Sequence, residues 1–346
     1  MMYVIKQLFL KKSILFYLIV VCCTVFGSSQ TLDYLHINSD NYYALPYNIG
    51  GHSHNWVISN YINSQRLLPD HPVQSFLLSG DYQIASGDDK LSVGGAISYK
   101  KLISSPLVDN EIFTTLAYHK NYRNNQFHIA IQPSLFYRSL DFSSLLFPDQ
   151  YDRETGSFNT LVATNENLLA NEKKVGINVN AGIAWTRYFA NFYSQFGVNV
   201  RNVLAQKSSV SELKVPQYFQ FILSSKTNYF LNKNQTLKPF VIYNSSAILN
   251  ELAIGSDIKH GLGYNFFKVN SIWAGTYLVM RTKKYPNDIV FNVGAQVSKF
   301  QFGFAYSFNL MGKKNKISTF NIYELTIAYL GLNRLIENYR IPCTIY

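Results

Sequence analysis

Phe300-Gln301-Phe302-Gly303-Phe304-Ala305-Tyr306-Ser307-Phe308 is the stretch whose reading decides the fold of this chain. Five aromatic side chains take alternate positions, with Gln301, Gly303, Ala305 and Ser307 between them. Successive side chains of a strand point to opposite faces, so residues 299–310 form a strand with one aromatic face and one small or polar face. No helical stripe runs through it. Such a face meets either the core of a soluble sandwich or the lipid around a barrel, and alternation alone does not choose.

Composition favours lipid. Aromatic residues make up 16% of the 346-residue chain (26 Tyr, 25 Phe, 3 Trp), while Asp, Glu, Lys and Arg together reach only 15%. A soluble domain carries about a quarter charged residues. The mean hydropathy of -0.03 excludes a bundle of membrane helices. Strands that alternate apolar and polar residues average to such a value. The length admits two ordinary domains or one large barrel.

The same alternation recurs along the chain. Leu91, Val93, Ile97 and Tyr99 oppose Ser92, Gly94, Ala96 and Ser98; Val175, Ile177, Val179, Ile183 and Trp185 oppose Gly176, Asn178, Asn180, Gly182 and Ala184. The pattern predicts fourteen strands, over residues 54–66, 73–85, 90–101, 110–119, 126–138, 174–187, 189–200, 217–231, 236–244, 252–266, 270–281, 289–297, 299–310 and 321–331. Most reach ten residues, the length of a tilted bilayer crossing; soluble strands average about 5–6. Pro133 predicts a bulge within its strand. Tyr82, Tyr99, Tyr118, Tyr137, Trp185, Tyr229, Tyr243, Tyr264, Tyr306 and Tyr329 fall near strand ends, as interfacial girdles do. Connections at 86–89, 120–125, around Tyr188, 232–235, 267–269 and 298–299 are short, and alternate with mostly longer ones at 139–173, 202–216, 282–288 and 311–320. Short periplasmic turns and long outer loops give that asymmetry. The expected fold is all-β: a transmembrane antiparallel up-and-down β-barrel of about 14 strands.

The flanks read differently. Lys6, Lys11 and Lys12 precede an apolar run over 13–26 and the small residues Gly27-Ser28-Ser29, so residues 1–29 form a signal peptide cleaved near Ser29/Gln30. Val20-Val21, standing where a lipoprotein needs a small residue, argues against a lipid anchor at Cys22. Residues 30–53 form an N-terminal segment, periplasmic or tucked into the lumen. Residues 54–332 form the outer-membrane barrel and 333–346 a periplasmic tail. Cleavage leaves 28 basic against 20 acidic residues, a net of +8, and one cysteine, Cys343. No internal disulfide is then possible.

Catalytic patterns are missing: no nucleophile elbow, zinc-binding helix motif, phosphate loop or paired-cysteine cluster occurs. His52 and His54 could touch one metal but have no evident third ligand. Asp88-Asp89 reads as a turn, and Lys313, Lys314 and Lys316 as a solvated loop. The positive charge is spread out, with no basic groove for nucleic acid. No catalytic residue, metal or cofactor is expected. In the long connection, Phe147-Pro148-Asp149-Gln150-Tyr151-Asp152 leads to Gly156-Ser157-Phe158. That stretch is either an ordinary surface loop or a lid or partner-docking surface.

Three places carry a resemblance. Leu45-Pro46-Tyr47-Asn48-Ile49-Gly50 is similar to an Asn-Pro-Ala-Tyr-x-Gly motif. Asp149-Gln150-Tyr151-Asp152 before Gly156 is similar to an Asp-Gln-hydrophobic-Asp…Gly stretch. Tyr323-Glu324-Leu325, followed by Ile341-Pro342-Cys343, is similar to a Glu-containing last strand with a Pro-Cys tail. Together they resemble the PorP/SprF outer-membrane proteins of the Bacteroidota type IX secretion system. The resemblance implies a non-catalytic barrel that helps deliver and anchor a large surface adhesin, in gliding or adhesion. The implied partners are the secreted adhesin or its C-terminal targeting domain, periplasmic ring components of the machine, and outer-membrane lipid. Pro46, Tyr47, Gly50, Asp149, Gln150, Tyr151, Asp152 and Gly156, which carry the motifs, become the candidate partner-binding residues. The alternative function is a channel or transporter for small or hydrophobic molecules. An outer-membrane hydrolase, a third reading, has no motif in its favour.

Overall fold

A computed structural model describes residues 44–50, 56–66, 72–84, 89–102, 107–140, 150–152, 156–158, 172–204, 219–246, 250–262, 269–282, 287–310 and 322–331. A single 3-10 turn (Pro46–Asn48) precedes the strands β1 (Trp56–Arg66), β2 (Pro72–Gln83), β3 (Asp89–Leu102), β4 (Leu107–Tyr122) and β5 (Asn125–Leu140). The two-residue strands β6 (Tyr151–Asp152) and β7 (Ser157–Phe158) follow. Then come β8 (Glu172–Tyr188), β9 (Phe192–Arg201), β10 (Gln220–Asn232), β11 (Gln235–Ser246) and β12 (Asn250–Gly261). The last four are β13 (Val269–Arg281), β14 (Asp288–Val297), β15 (Phe300–Asn309) and β16 (Ile322–Leu330).

Fourteen of these strands close into one antiparallel barrel. Each pairs with its neighbour in sequence, except that β5 pairs with β8 and leaves β6 and β7 as a separate hairpin. Closure comes from β1 on β16, from Val57 opposite Leu330 to Gln65 opposite Ile322. The start of β1 and the end of β16 therefore lie on the rim of the tight turns, such as Arg123-Asn124 and Ser298-Lys299. In an outer-membrane barrel that rim is periplasmic.

The alternation seen in β15 decides which side faces what. Phe300, Phe302, Phe304 and Phe308 are 42–49% exposed on the outer wall, while Ala305 and Ser307 are fully buried inside. The outer wall continues with Ile97, Ile112, Leu116, Ile129, Ile183, Val293 and Leu325, all exposed. Water would make such a wall an aggregation surface, whereas a bilayer solvates it. Aromatic rings gather near the periplasmic rim: Phe189 stacks on Phe192 at 4.3 Å, and Phe300 meets Tyr329 edge-on at 5.0 Å. Toward the other rim Tyr306 and Phe308 pack edge-on at 4.5 Å. These are interfacial positions for amphipathic rings. Among the described residues no helix is long and apolar enough to cross a membrane.

Pro133 does not make a bulge. Phe113 opposite Ser134 and Leu116 opposite Ile131 keep one register past it, and Pro133 itself faces Val179 of β8. The ring removes one N–H from the β4–β5 ladder without adding a residue, so the pairing lapses over Thr114–Thr115 and Gln132–Pro133 and resumes in the same register. Register shifts occur instead at Phe230/Asn232 and Val269/Ser271, beside turns. Asp89, expected in a turn, is the first residue of β3, where its carboxylate accepts the Tyr118 hydroxyl at 2.6 Å. β12 stops at Gly261, short of the expected 266.

The lumen is packed. Many of its buried polar groups pair with one another, which offsets the cost of enclosing them. Gln132 donates to Thr115 at 2.8 Å, Asn180 to Gln132 at 2.8 Å and Asn178 to Asn202 at 2.7 Å. Arg281 donates to Glu251 at 3.3 Å and to Asp288. Apolar side chains fill between them: Phe113, Ile222, Phe240, Ile242, Tyr277, Val279 and Val290.

Candidate functional site

The 3-10 turn lies inside the barrel, packed against β4, β5 and β8. Its local shape follows from its sequence. Pro46 at the first helical position has a preset φ and needs no N–H partner. Asn48 then donates to the Leu45 carbonyl at 2.9 Å and Ile49 to that of Pro46 at 3.3 Å. This single turn sends Leu45, Tyr47 and Ile49 into the wall, where all three are buried.

Tyr47 is the centre of the arrangement, with no exposed surface. Its ring fills the space that side chains at Gly182 of β8 and Gly197 of β9 would need; a Cβ on Gly182 would come within 2.9 Å of the ring. Its hydroxyl is hydrogen-bonded to Ser224 of β10. Burial raises the pKa of the phenol well above the ordinary tyrosine range, and the Ser224 bond acts weakly the other way. Above it, Asn199 donates to the Ala44 carbonyl at 2.7 Å. Below it, Ile49 sits where Gly94 of β3 leaves room.

Gly50 ends the segment. Its φ of +63° is a conformation that suits glycine, and a Cβ there would strike Ser92. Its N–H donates to Asp81 Oδ2 at 2.7 Å, a charge-assisted bond. The segment thus descends from the β9–β10 wall to β2–β3, near the rim where β1 begins. Alongside runs a chain of polar side chains: His119 Nδ1 lies 2.7 Å from His128 Nδ1, and His128 Nε2 lies 2.9 Å from Thr186. One imidazole nitrogen of the close pair donates and the other accepts.

Of the candidate residues, Pro46, Tyr47 and Gly50 come together in this lumenal segment. Gln150, Tyr151, Asp152 and Gly156 lie elsewhere, in the β6–β7 hairpin. There Tyr151 and Phe158 face each other edge-on at 5.1 Å, both exposed, and Gly156 turns the chain with φ +64°. Asp149 lies outside the described residues, as do His52, His54, Lys313, Lys314, Lys316 and Cys343. Sequence reasoning missed the residues that receive the plug: Asp81, Gly94, Gly182, Gly197, Asn199 and Ser224. Gly94 and Gly182 sit on small or polar faces that the alternation marks, but nothing in the spacing pairs any of the six with Tyr47. Among the described residues no group of three His, Cys, Asp or Glu side chains could hold a metal ion.

These features define an outer-membrane β-barrel whose lumen is occupied by its own N-terminal segment. Solved structures agree with the fold. The monoaromatic hydrocarbon channel CymD superimposes with a TM-score of 0.52 at 11% identity, over 87% of this chain and 94% of that one. The Pseudomonas putida toluene transporter TodX gives 0.50 at 10% identity, over 88% and 95%. The Ralstonia pickettii toluene transporter TbuX gives 0.50 at 8%, over 84% and 92%. At such identities the likeness is one of fold alone. No curated protein matches the chain. The profile of the type IX secretion system membrane protein PorP/SprF family matches residues 48–329, and the chain belongs to that family.

Proposed function

We propose that this barrel is a non-catalytic outer-membrane component of the type IX secretion system that helps deliver a large surface adhesin and anchor it to the membrane. Family membership supports the secretion role, and both family and fold point to a membrane protein rather than an enzyme. The observation that favours anchoring over passage is the seated plug: Leu45, Tyr47 and Ile49 are buried across the lumen at the level of β8–β10. A barrel filled at mid-height suits holding a partner at its rims. The exposed Tyr151–Phe158 pair of the β6–β7 hairpin is the proposed docking element on the outer side, with Gln150, Asp152 and Gly156 shaping it.

Deletion of the gene tests this reading. Surface display of one large adhesin is expected to be lost while other exported proteins remain. Steady ion conductance of the purified barrel in planar bilayers, with adhesin display intact in the deletion strain, would overturn it in favour of a channel.

A further inference from the structure

Charge on the outer wall is sparse and confined to one sector. Among the described residues, the Lys, Arg, Asp and Glu side chains of the strands that face lipid are Lys101 and Lys173 toward the outer rim, and Asp89, Lys120 and Arg187 toward the periplasmic rim. The periplasmic group has a third cation beside it, exposed Arg123 in the turn between β4 and β5.

Register sets these cations near one level. Rows of opposed residues climb from the tight turns with strand order: the row through Ser92, near the start of β3, passes Gly182 and Ile222 and ends at Arg281, the last residue of β13. Arg187 stands two strands along the row of Tyr122, and Lys120 stands two residues above Tyr122 on β4. With strands tilted by about 40°, two strand steps raise Arg187 by about 6 Å and two residues raise Lys120 by about 5 Å. Their Cα atoms are then about 12 Å apart, within the joint reach of two long side chains bending toward one head group.

Aromatic rings hold the patch in place. The Arg187 guanidinium lies 5.2 Å over the Phe189 ring, and that of Arg123 5.5 Å over exposed Tyr122. Such a ring orients a guanidinium and leaves its charge. Between the cations, Asn125 accepts the indole N–H of Trp185 at 3.0 Å, beside the exposed ring of Phe127. Lys120 has no ion-pair partner among the described residues; Asp89, opposite it on β3, accepts the Tyr118 hydroxyl at 2.6 Å. Three cations against one carboxylate leave the patch positive.

Above it the wall turns apolar, with Leu116, Ile129 and Ile183 all exposed. A soluble acidic chain would meet the cations and leave this band uncovered. A membrane lipid meets both, since its head group lies at the level of the rings and its acyl chains run along the band. Basic side chains at a membrane surface favour net negative head groups over zwitterionic ones.

We propose that Lys120, Arg123 and Arg187 form a binding site for the phosphate of an anionic phospholipid of the periplasmic leaflet, whose acyl chains run along Phe127, Ile129 and Leu116. The proposal rests on the outer wall and is independent of the adhesin reading.

The test uses the full-length barrel in phosphatidylcholine vesicles, with Trp185 as the probe. Trp56→Phe and Trp273→Phe remove the other two tryptophans of the chain. Phosphatidylglycerol brominated in its acyl chains is expected to quench Trp185 as though enriched at least about fivefold over brominated phosphatidylcholine, and less so as salt is raised. Lys120→Gln with Arg187→Gln is expected to abolish the enrichment, and Lys120→Arg with Arg187→Lys to keep it. Arg123→Gln should give a smaller loss. Inorganic phosphate or a polyglutamate peptide, added at fixed ionic strength, is expected to leave the quenching unchanged. Equal quenching by the two lipids at low salt, or full enrichment in glutamine variants that migrate as folded barrels, would overturn the proposal. Relief of quenching by the peptide would overturn it in favour of an acidic protein partner, and relief by phosphate in favour of a soluble anion.

Discussion

The hydroxyl of Tyr47 bonds that of Ser224, 177 residues away in sequence, and this contact fixes the N-terminal segment at mid-height in the lumen. Tyr47→Phe removes only the hydroxyl and leaves Ser224 to find another partner. The expected loss is about 1 kcal/mol, with the plug still seated. Tyr47→Ala empties the ring's cavity and is expected to cost about 3–5 kcal/mol of plug seating. Amide hydrogen exchange over residues 44–50 measures both, and only the alanine variant should exchange there as a free segment.

The glycine cradle makes the converse prediction. A Cβ at Gly197 would overlap the Tyr47 ring and hydroxyl, which are held on the far side by Ser224 and Gly182. Gly197→Val is expected to expel the plug while the barrel still forms. The readout is protease cleavage upstream of β1 in a protein that keeps its heat-modifiable gel mobility. An uncleaved, plugged Gly197→Val barrel would contradict the cradle.

Alkaline pH should loosen the same lock. Burial raises the pKa of the Tyr47 phenol, whereas an exposed phenol, as in the unseated segment, titrates near 10. The plugged state thus holds its proton where the unplugged state releases it, so seating is unaffected below about pH 10 and weakens as pH rises beyond it. Protection of residues 44–50, taken relative to the intrinsic base-catalysed exchange rate, should fall above that pH in the native protein. Tyr47→Phe should show no such step.

On the outer wall, Phe302 and Phe304 sit amid the apolar band. Phe304→Arg is expected to destabilise the barrel by about 2–4 kcal/mol if it lies at the bilayer midplane. Refolding from urea into lipid vesicles, followed by gel mobility, measures the loss. An equal effect in detergent and bilayer would mean the face does not meet lipid as described.

Much of the fold was legible because its physics is local. The Phe300–Phe308 alternation, low charge and strand length each report how one segment meets its surroundings, and fourteen such segments add up to a barrel. Pro133 misled because a missing donor is visible in sequence, while the ladder's ability to skip a rung depends on its neighbours. The site was harder to read. The motif over Leu45–Gly50 marked the plug without showing what it touches, since Gly182, Gly197 and Ser224 converge on Tyr47 only after β8, β9 and β10 are aligned.

Closure of β1 on β16 carries a last consequence. The segment that locks into the wall leaves the ribosome early, yet its socket is made from the middle of the chain and fixed only when the last strand returns to the first. The loop that must close before Tyr47 reaches Ser224 is long, and long loops close late. A seated plug is therefore a record that assembly has finished: a barrel missing its final strand offers no stable place for its own beginning.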